Sequence, residues 1–146
     1  MDVTELPFNR LVGLEPAAAD GFLVTLPAGP QHANHLGTVH ASALLAVAEA
    51  GAGAFLARHM GDPAGFVPVV RRLDARFRRP ASGRVSARAA IDPAEVTRWA
   101  AELAARGRVS AVVPVEVVDA AGVVVLTATV EWFIARKPSG GEVSKQ

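Results

Sequence analysis

The sequence predicts an α+β fold, an antiparallel sheet of about five to six strands wrapped around one long central helix. Two patterns carry this expectation. Between about residues 40 and 60 the chain is small or apolar on nearly every side, and a helix without a polar face is stable only when other structure encloses it. From Pro68 onward apolar and charged residues alternate with the period of a strand. An apolar helix followed by antiparallel strands leaves a curled sheet as the surface able to cover it.

The elements follow in chain order. Residues 5–13 suit a short opening helix, and residues 11–14 and 22–26 read as strand segments separated by AlaAlaAlaAspGly. A polar loop at 31–39 leads into the central helix at about 40–60. Beyond it, Leu73, Ala75 and Phe77 alternate with Arg72, Asp74, Arg76 and Arg78, the pattern of a half-buried strand. ArgProAlaSerGly at 79–83 turns the chain into a strand at 84–91, where Val85, Ala87, Ala89 and Ile91 oppose Arg84, Ser86 and Arg88. AspProAlaGlu at 92–95 opens an extra helix at about 93–106, with Asp92 as cap, Pro93 at the first helical position and Glu95 placed for a capping box. Val96, Trp99, Ala100 and Leu103 form its apolar stripe, and Gly107 ends it. Two long strands at about 108–119 and 122–136 complete the sheet; in the second, Val124, Leu126, Val130, Trp132 and Ile134 share one face. The polar tail at 138–146 is expected to be disordered.

A length of 146 residues suits a single domain, spanning 1–137, and the sequence has no internal repeat. With 51% hydrophobic and 20% charged residues the composition is globular. A net charge of +1 gives no general attraction to nucleic acid or to a membrane surface. The absence of cysteine excludes disulfides, thiolate metal sites and a cysteine nucleophile. The N-terminus lacks a basic region followed by an apolar core, so a cytoplasmic location is expected. The apolar run at 41–57 is 17 residues with a Glu inside it, short of the roughly 20 that span a bilayer.

Glu49 is the only ionisable side chain between His40 and Arg58. Burying an unpaired carboxylate costs several kcal/mol or raises its pKa, so a Glu in this setting is either paired structurally or kept for chemistry. The run AsnHisLeuGlyThrValHisAlaSerAlaLeuLeuAlaValAlaGlu at 34–49 resembles the signature of hotdog-fold acyl-CoA thioesterases of the phenylacetic-acid-degradation type. That signature is Asn-x-x-Gly-Thr-x-His-Gly-Gly, followed by an acid eight residues after the first of the paired glycines, the spacing of Ala41 and Glu49. The order of strands, with ArgArgProAlaSerGly after the first, is similar, and the likeness covers about residues 5–136. The extra helix before the last two strands is similar to that of a thioesterase-like subgroup of uncharacterised function.

The resemblance implies hydrolysis of an acyl-CoA or other acyl thioester, with coenzyme A as part of the substrate and no separate cofactor. It also implies a homodimer or dimer of dimers with sites at the subunit interface. The residues offer the chemistry this requires. Backbone N–H groups at the helix start, chiefly Ala41 with Ser42 beside it, carry the positive end of the helix dipole and suit an oxyanion hole. Glu49 suits either a base that activates water or a nucleophile that forms a transient anhydride. Asn34 can hold the attacking water or the carbonyl, and His40 can order the loop or bond the thioester oxygen. Asn34 and Gly37 equally suit a plain turn into the helix.

Spacing adds an expectation of its own. Ala41 and Glu49 are separated by roughly 12 Å along a helix axis, too far to grip one thioester. If both act, the helix start of one subunit faces Glu49 of another across a two-fold axis.

The chain departs from the family pattern in two places. Ala41 and Ser42 replace the usual Gly-Gly, so a Cβ projects where an acyl carbonyl approaches. Related enzymes carry a Ser or Thr on the following strand or one turn beyond the acid; here residues 66–70 read PheValProValVal and the turn beyond Glu49 holds Gly53. Arg71, Arg72, Arg76, Arg78 and Arg79 form a basic stripe that reads either as a solvated strand face or, at Arg71, Arg72 and Arg79, as a grip on the phosphates of coenzyme A. Nucleic acid is disfavoured because Phe77 is the one aromatic residue among these arginines and Tyr is absent from the chain. His32, His35 and His40 have no acid or Cys beside them, so no metal is expected. The alternative function is a non-catalytic acyl-CoA or fatty-acyl binding protein. A hotdog hydratase is disfavoured because the chain lacks an Asp-x-Asn-x-x-His pattern.

Overall fold

The computed structural model describes residues 1–61 and 65–138. Strands β1 (Glu15–Pro16), β2 (Val24–Leu26), β3 (Phe66–Phe77), β4 (Val85–Arg88), β5 (Arg108–Asp119) and β6 (Val124–Arg136) form a sheet in the order β1-β2-β4-β5-β6-β3. Every neighbouring pair is antiparallel. Helix α2 (Ala41–His59) lies across this sheet and touches β2, β3, β4, β5 and β6. This is the helix-in-sheet arrangement expected of a hotdog fold.

The core sits between α2 and one face of the sheet. Register places Val113 opposite Val130, Val115 opposite Ala128 and Val117 opposite Leu126, all buried on that face together with Leu44, Val47 and Ala48 of the helix. Gly51 is where helix and sheet come closest. A Cβ there would fall 2.6 Å from the Cβ of Ala87 and 3.8 Å from Val115, so the glycine lets α2 settle onto β4 and β5. The helix has the length and hydropathy of a membrane span, yet here the sheet wraps it.

Helix α1 (Pro7–Val12) and a 3-10 turn at Val3–Glu5 precede the sheet and pack on α2. The expected strand at 11–14 does not form. Gly13, at φ 88°, closes α1 by bonding its N–H to the carbonyls of Asn9 and Arg10, and pairing begins only at Glu15. The strands expected at 22–26 and 84–91 shorten to β2 and β4, which pair with each other over Val24–Leu26.

Helix α3 (Pro93–Arg106) packs on β5 and β6 through buried Trp99 and Leu103. Asp92 caps it by accepting from the Ala94 N–H at 2.9 Å. Glu95 does not complete a capping box, because its carboxylate pairs instead with Arg98 at 3.0 Å. Ala100 is exposed rather than part of the buried stripe. Gly107 ends the helix at φ 72°.

β3 is the largest departure. Alternation predicted a half-buried strand, but β3 is a sheet edge whose residues are exposed on both faces, with only Phe66 and Leu73 partly covered. Phe77, Val69 and Val67 remain 49%, 47% and 44% exposed. A period of two states which residues share a face; it does not state that this chain covers that face. The tail from residue 139 lies outside the described residues.

Candidate active site

Glu49 projects from the middle of α2 into a cavity of about 470 Å³ walled by Gly53 and Leu56 of the helix, Pro68 and Val70 of β3, and Trp132 of β6. The N-terminal segment closes the cavity through Val3, Leu6 and Asn9. Glu49 is partly buried, and desolvation raises its pKa above the ordinary glutamate value. Among the described residues it takes part in no ion pair. It is therefore not a structural ion-pair carboxylate among the described residues.

The motif loop is built around Asn34. Its Oδ1 accepts from the N–H groups of Leu36 and Thr38 at 2.9 and 3.0 Å, and its Nδ2 donates to Thr38 Oγ1 at 2.8 Å. Gly37, at φ 78°, supplies the left-handed residue of this turn, and its N–H bonds the Asn34 carbonyl. The side chain of Asn34 thus orders the loop and retains one Nδ2–H for other use. Buried His32 anchors the same loop. Its Nδ1 accepts from the Gly29 N–H at 2.9 Å and its Nε2 bonds the Val12 carbonyl, joining the loop to the end of α1.

At the start of α2, His40 is the cap. Its Nδ1 accepts from the Ser42 N–H at 3.0 Å, and its carbonyl takes the N–H groups of Ala43 and Leu44. With Ser42 engaged by His40, Ala41 is the exposed N–H donor without a partner among the described residues. Of the two expected oxyanion donors, Ala41 is the one left free. The macrodipole reinforces it.

Asn34, Gly37, His40, Ala41 and Ser42 gather at the helix start; none of them lines the cavity that holds Glu49. The expected basic grip is also dispersed. Arg71 lies 4.5 Å over the Phe133 ring, Arg72 is held by Asp74 at 2.7 Å, and Arg79 follows β3 close to Ala81, whose carbonyl bonds the Val39 N–H of the motif loop. Among the described residues no three His, Asp or Glu side chains cluster as metal ligands.

Two cavity residues have no counterpart in the sequence reading. Asn9 stands in a short helix far from the motif, and its neighbours Phe8 and Arg10 give no local sign of a buried amide. Trp132 was visible only as one of five apolar residues on a strand face. The fold brings its ring onto Gly53, where an added Cβ would meet the indole at 3.4 Å. The place one turn beyond the acid is thus bordered by an aromatic ring from β6 rather than filled by a hydroxyl.

The family described as "Domain of unknown function (DUF4442)" matches residues 11–134. No curated protein matches the chain in sequence. Among solved structures, the chain is similar to PA5026 from Pseudomonas aeruginosa, described as a protein of unknown function and probable thioesterase. The two are 28% identical over 92% of this chain and 91% of that one, with a TM-score of 0.78. It is also similar to BH2602 from Bacillus halodurans, solved with CoA, at 24% identity over 87% and 74% of the two chains and a TM-score of 0.66. A variant of the thioesterase SAV0944 from Staphylococcus aureus shares 18% identity over 90% and 98%, with a TM-score of 0.65. The fold is that of the hotdog thioesterase superfamily, and the chain belongs to the DUF4442 family.

Proposed function

We propose that the protein hydrolyses an acyl-CoA or a related acyl thioester to free acid and thiol. The observation that carries this reading is Glu49, a desolvated carboxylate without an ion-pair partner on the wall of an otherwise largely apolar cavity. A carboxylate whose pKa is raised by burial is a stronger base, and Glu49 serves as general base in this reading. Glu49 takes a proton from water as the water oxygen attacks the thioester carbonyl. The developing oxyanion accepts from the Ala41 N–H of a second subunit, and the departing sulfur takes the proton as the C–S bond breaks.

The second subunit follows from the separation of Ala41 and Glu49 along α2. It also accounts for β3, whose exposed Val67, Val69, Val70 and Phe77 form an uncovered edge suited to a second copy of the chain. CoA bound to BH2602 supports a CoA thioester as substrate. A cytoplasmic site of action belongs to the same reading.

One observation favours the alternative of a non-catalytic acyl-binding protein: among the described residues no Ser, Thr or Tyr lines the cavity beside Glu49. The two are separated by release of free thiol from an acyl-CoA panel, with binding measured in parallel. In the enzyme, Glu49→Gln lowers turnover by about 10²–10⁴ while acyl-CoA binding persists. Tight binding without turnover in either protein identifies a binding protein and removes the hydrolase reading.

A further inference from the structure

The polar groups in the cavity wall point to the kind of acyl chain it takes, an inference that rests on the acyl-thioester reading above. Asn9 is 4% exposed and lines the cavity. Its Nδ2 donates to the Val3 carbonyl at 2.8 Å. Since a carbonyl can only accept, this bond fixes the amide orientation and turns Oδ1 away from Val3. Oδ1 takes no hydrogen bond among the described residues, yet it is not among the atoms closed off from solvent. It is therefore an available acceptor in a wall that, Glu49 and the Trp132 indole N–H apart, is built of apolar side chains and glycine.

Its place along the chain can be followed through contacts. A Cβ on Gly53 would lie 3.8 Å from Val3, whose carbonyl holds Asn9, and 3.4 Å from the Trp132 ring. Val3, whose carbonyl holds Asn9, and Trp132 therefore flank Gly53, one turn beyond Glu49 and roughly 6 Å further along the axis. An acyl chain whose thioester sits at Glu49 passes this patch within a few carbons of the carbonyl. Trp132 Nε1 is buried without an acceptor among the described residues.

We propose that the cavity selects acyl thioesters bearing a hydroxyl a few carbons from the thioester carbonyl, recognised by Asn9 Oδ1 as acceptor beside the Trp132 wall. A hydroxyl donates to Oδ1, whereas a plain methylene leaves that acceptor without a donor. A ketone cannot donate to Oδ1, so the oxo analogue is the informative control.

The test compares kcat/KM and Kd for octanoyl-CoA with its β-hydroxy, γ-hydroxy and β-oxo derivatives, in wild type, Asn9→Leu and Trp132→Phe. The expected result is a preference of about tenfold or more for a hydroxyacyl-CoA over both plain and oxo chains in wild type. That ratio falls toward unity in Asn9→Leu and is kept in Trp132→Phe, which retains an aromatic wall. Loosening of the N-terminal segment by loss of the Val3 bond would lower all substrates together, so the ratio isolates recognition from folding. Equal hydrolysis of plain and hydroxylated chains by wild type overturns the hydroxyl proposal and leaves the thioesterase reading standing. Preferential binding of the hydroxyacyl-CoA without turnover sustains the proposal and overturns the hydrolase reading. A preference for the oxo chain, or a ratio unchanged by Asn9→Leu, overturns Asn9 as the recognition group.

Discussion

Burial lifts the Glu49 carboxyl above its ordinary value, a shift that bears on stability and, in the proposed reaction, on rate. In the unfolded chain the same carboxyl titrates at the ordinary glutamate value. The fold therefore favours the protonated form, and the stability it contributes is complete below the unfolded pKa and lost as pH rises through the higher folded pKa. At neutral pH the ionised group is a net burden, which Glu49→Gln removes. The variant is expected to melt above wild type at pH 7, with the difference closing as pH falls toward about 4; calorimetric Tm values across that range check it. The acid limb of turnover belongs to the same group, so half-maximal rate is expected above the ordinary glutamate range. Glu49 was legible in the sequence because no other charge competes with it over two helical turns on either side. Asn9 and Trp132 were not, because only the fold brings them to the cavity, Trp132 against Gly53 and Asn9 through its bond to the Val3 carbonyl.

At the scale of elements, the decisive contact is the seating of α2 on β4 and β5. Gly51 is a poor helix residue by propensity, worth about 1 kcal/mol less than Ala in a helix interior. Its retention makes sense because an added Cβ would stand 2.6 Å from Ala87 Cβ, and neither short side chain can swing aside. Gly51→Ala is expected to destabilise by about 1–3 kcal/mol through overpacking. In an Ala87→Gly background the clash disappears and the helix gains propensity, so the same substitution should become neutral or stabilising. Urea unfolding of the four proteins of this cycle measures the coupling, and a cost unchanged by Ala87→Gly would show that the helix is not held at this point. The helices were readable from periodicity and caps: α2 from its lack of a polar face, α3 from Asp92, Pro93 and Gly107. Strand limits were less readable, since β2 and β4 are cut to the length over which they can pair. The exposure of β3 was hidden altogether, because alternation cannot say whether the covering surface belongs to the same chain.

For the whole molecule, the central issue is that the two halves of the chemistry stand at different places on α2. Ala41 is exposed at the helix start, while Glu49 lines a cavity that Ala41 does not reach. In the proposed dimer each site takes its N–H from one subunit and its carboxylate from the other, and this can be tested by complementation. Ala41→Pro removes the N–H at the first helical position, where proline is well tolerated. His40, at φ −60° and ψ 140°, already has the extended backbone that precedes a proline. The variant should fold and lose about 10²–10³ in rate, the usual cost of one oxyanion donor. Glu49→Gln is inactive for the other reason. When the two inactive proteins are mixed and allowed to exchange subunits, half of the dimers are mixed. Each mixed dimer has one site with an intact Ala41 N–H facing an intact Glu49, and one site with neither. Activity should therefore recover to about a quarter of wild type. If both groups served a site within one chain, every site in the mixture would lack one of them and no activity would return. Covering the β3 edge is a condition of the recovery: with Val67→Lys, on that edge and off the cavity wall, added to both variants, charge repulsion along the edge should keep the chains apart and abolish complementation, with sedimentation velocity reporting the monomer.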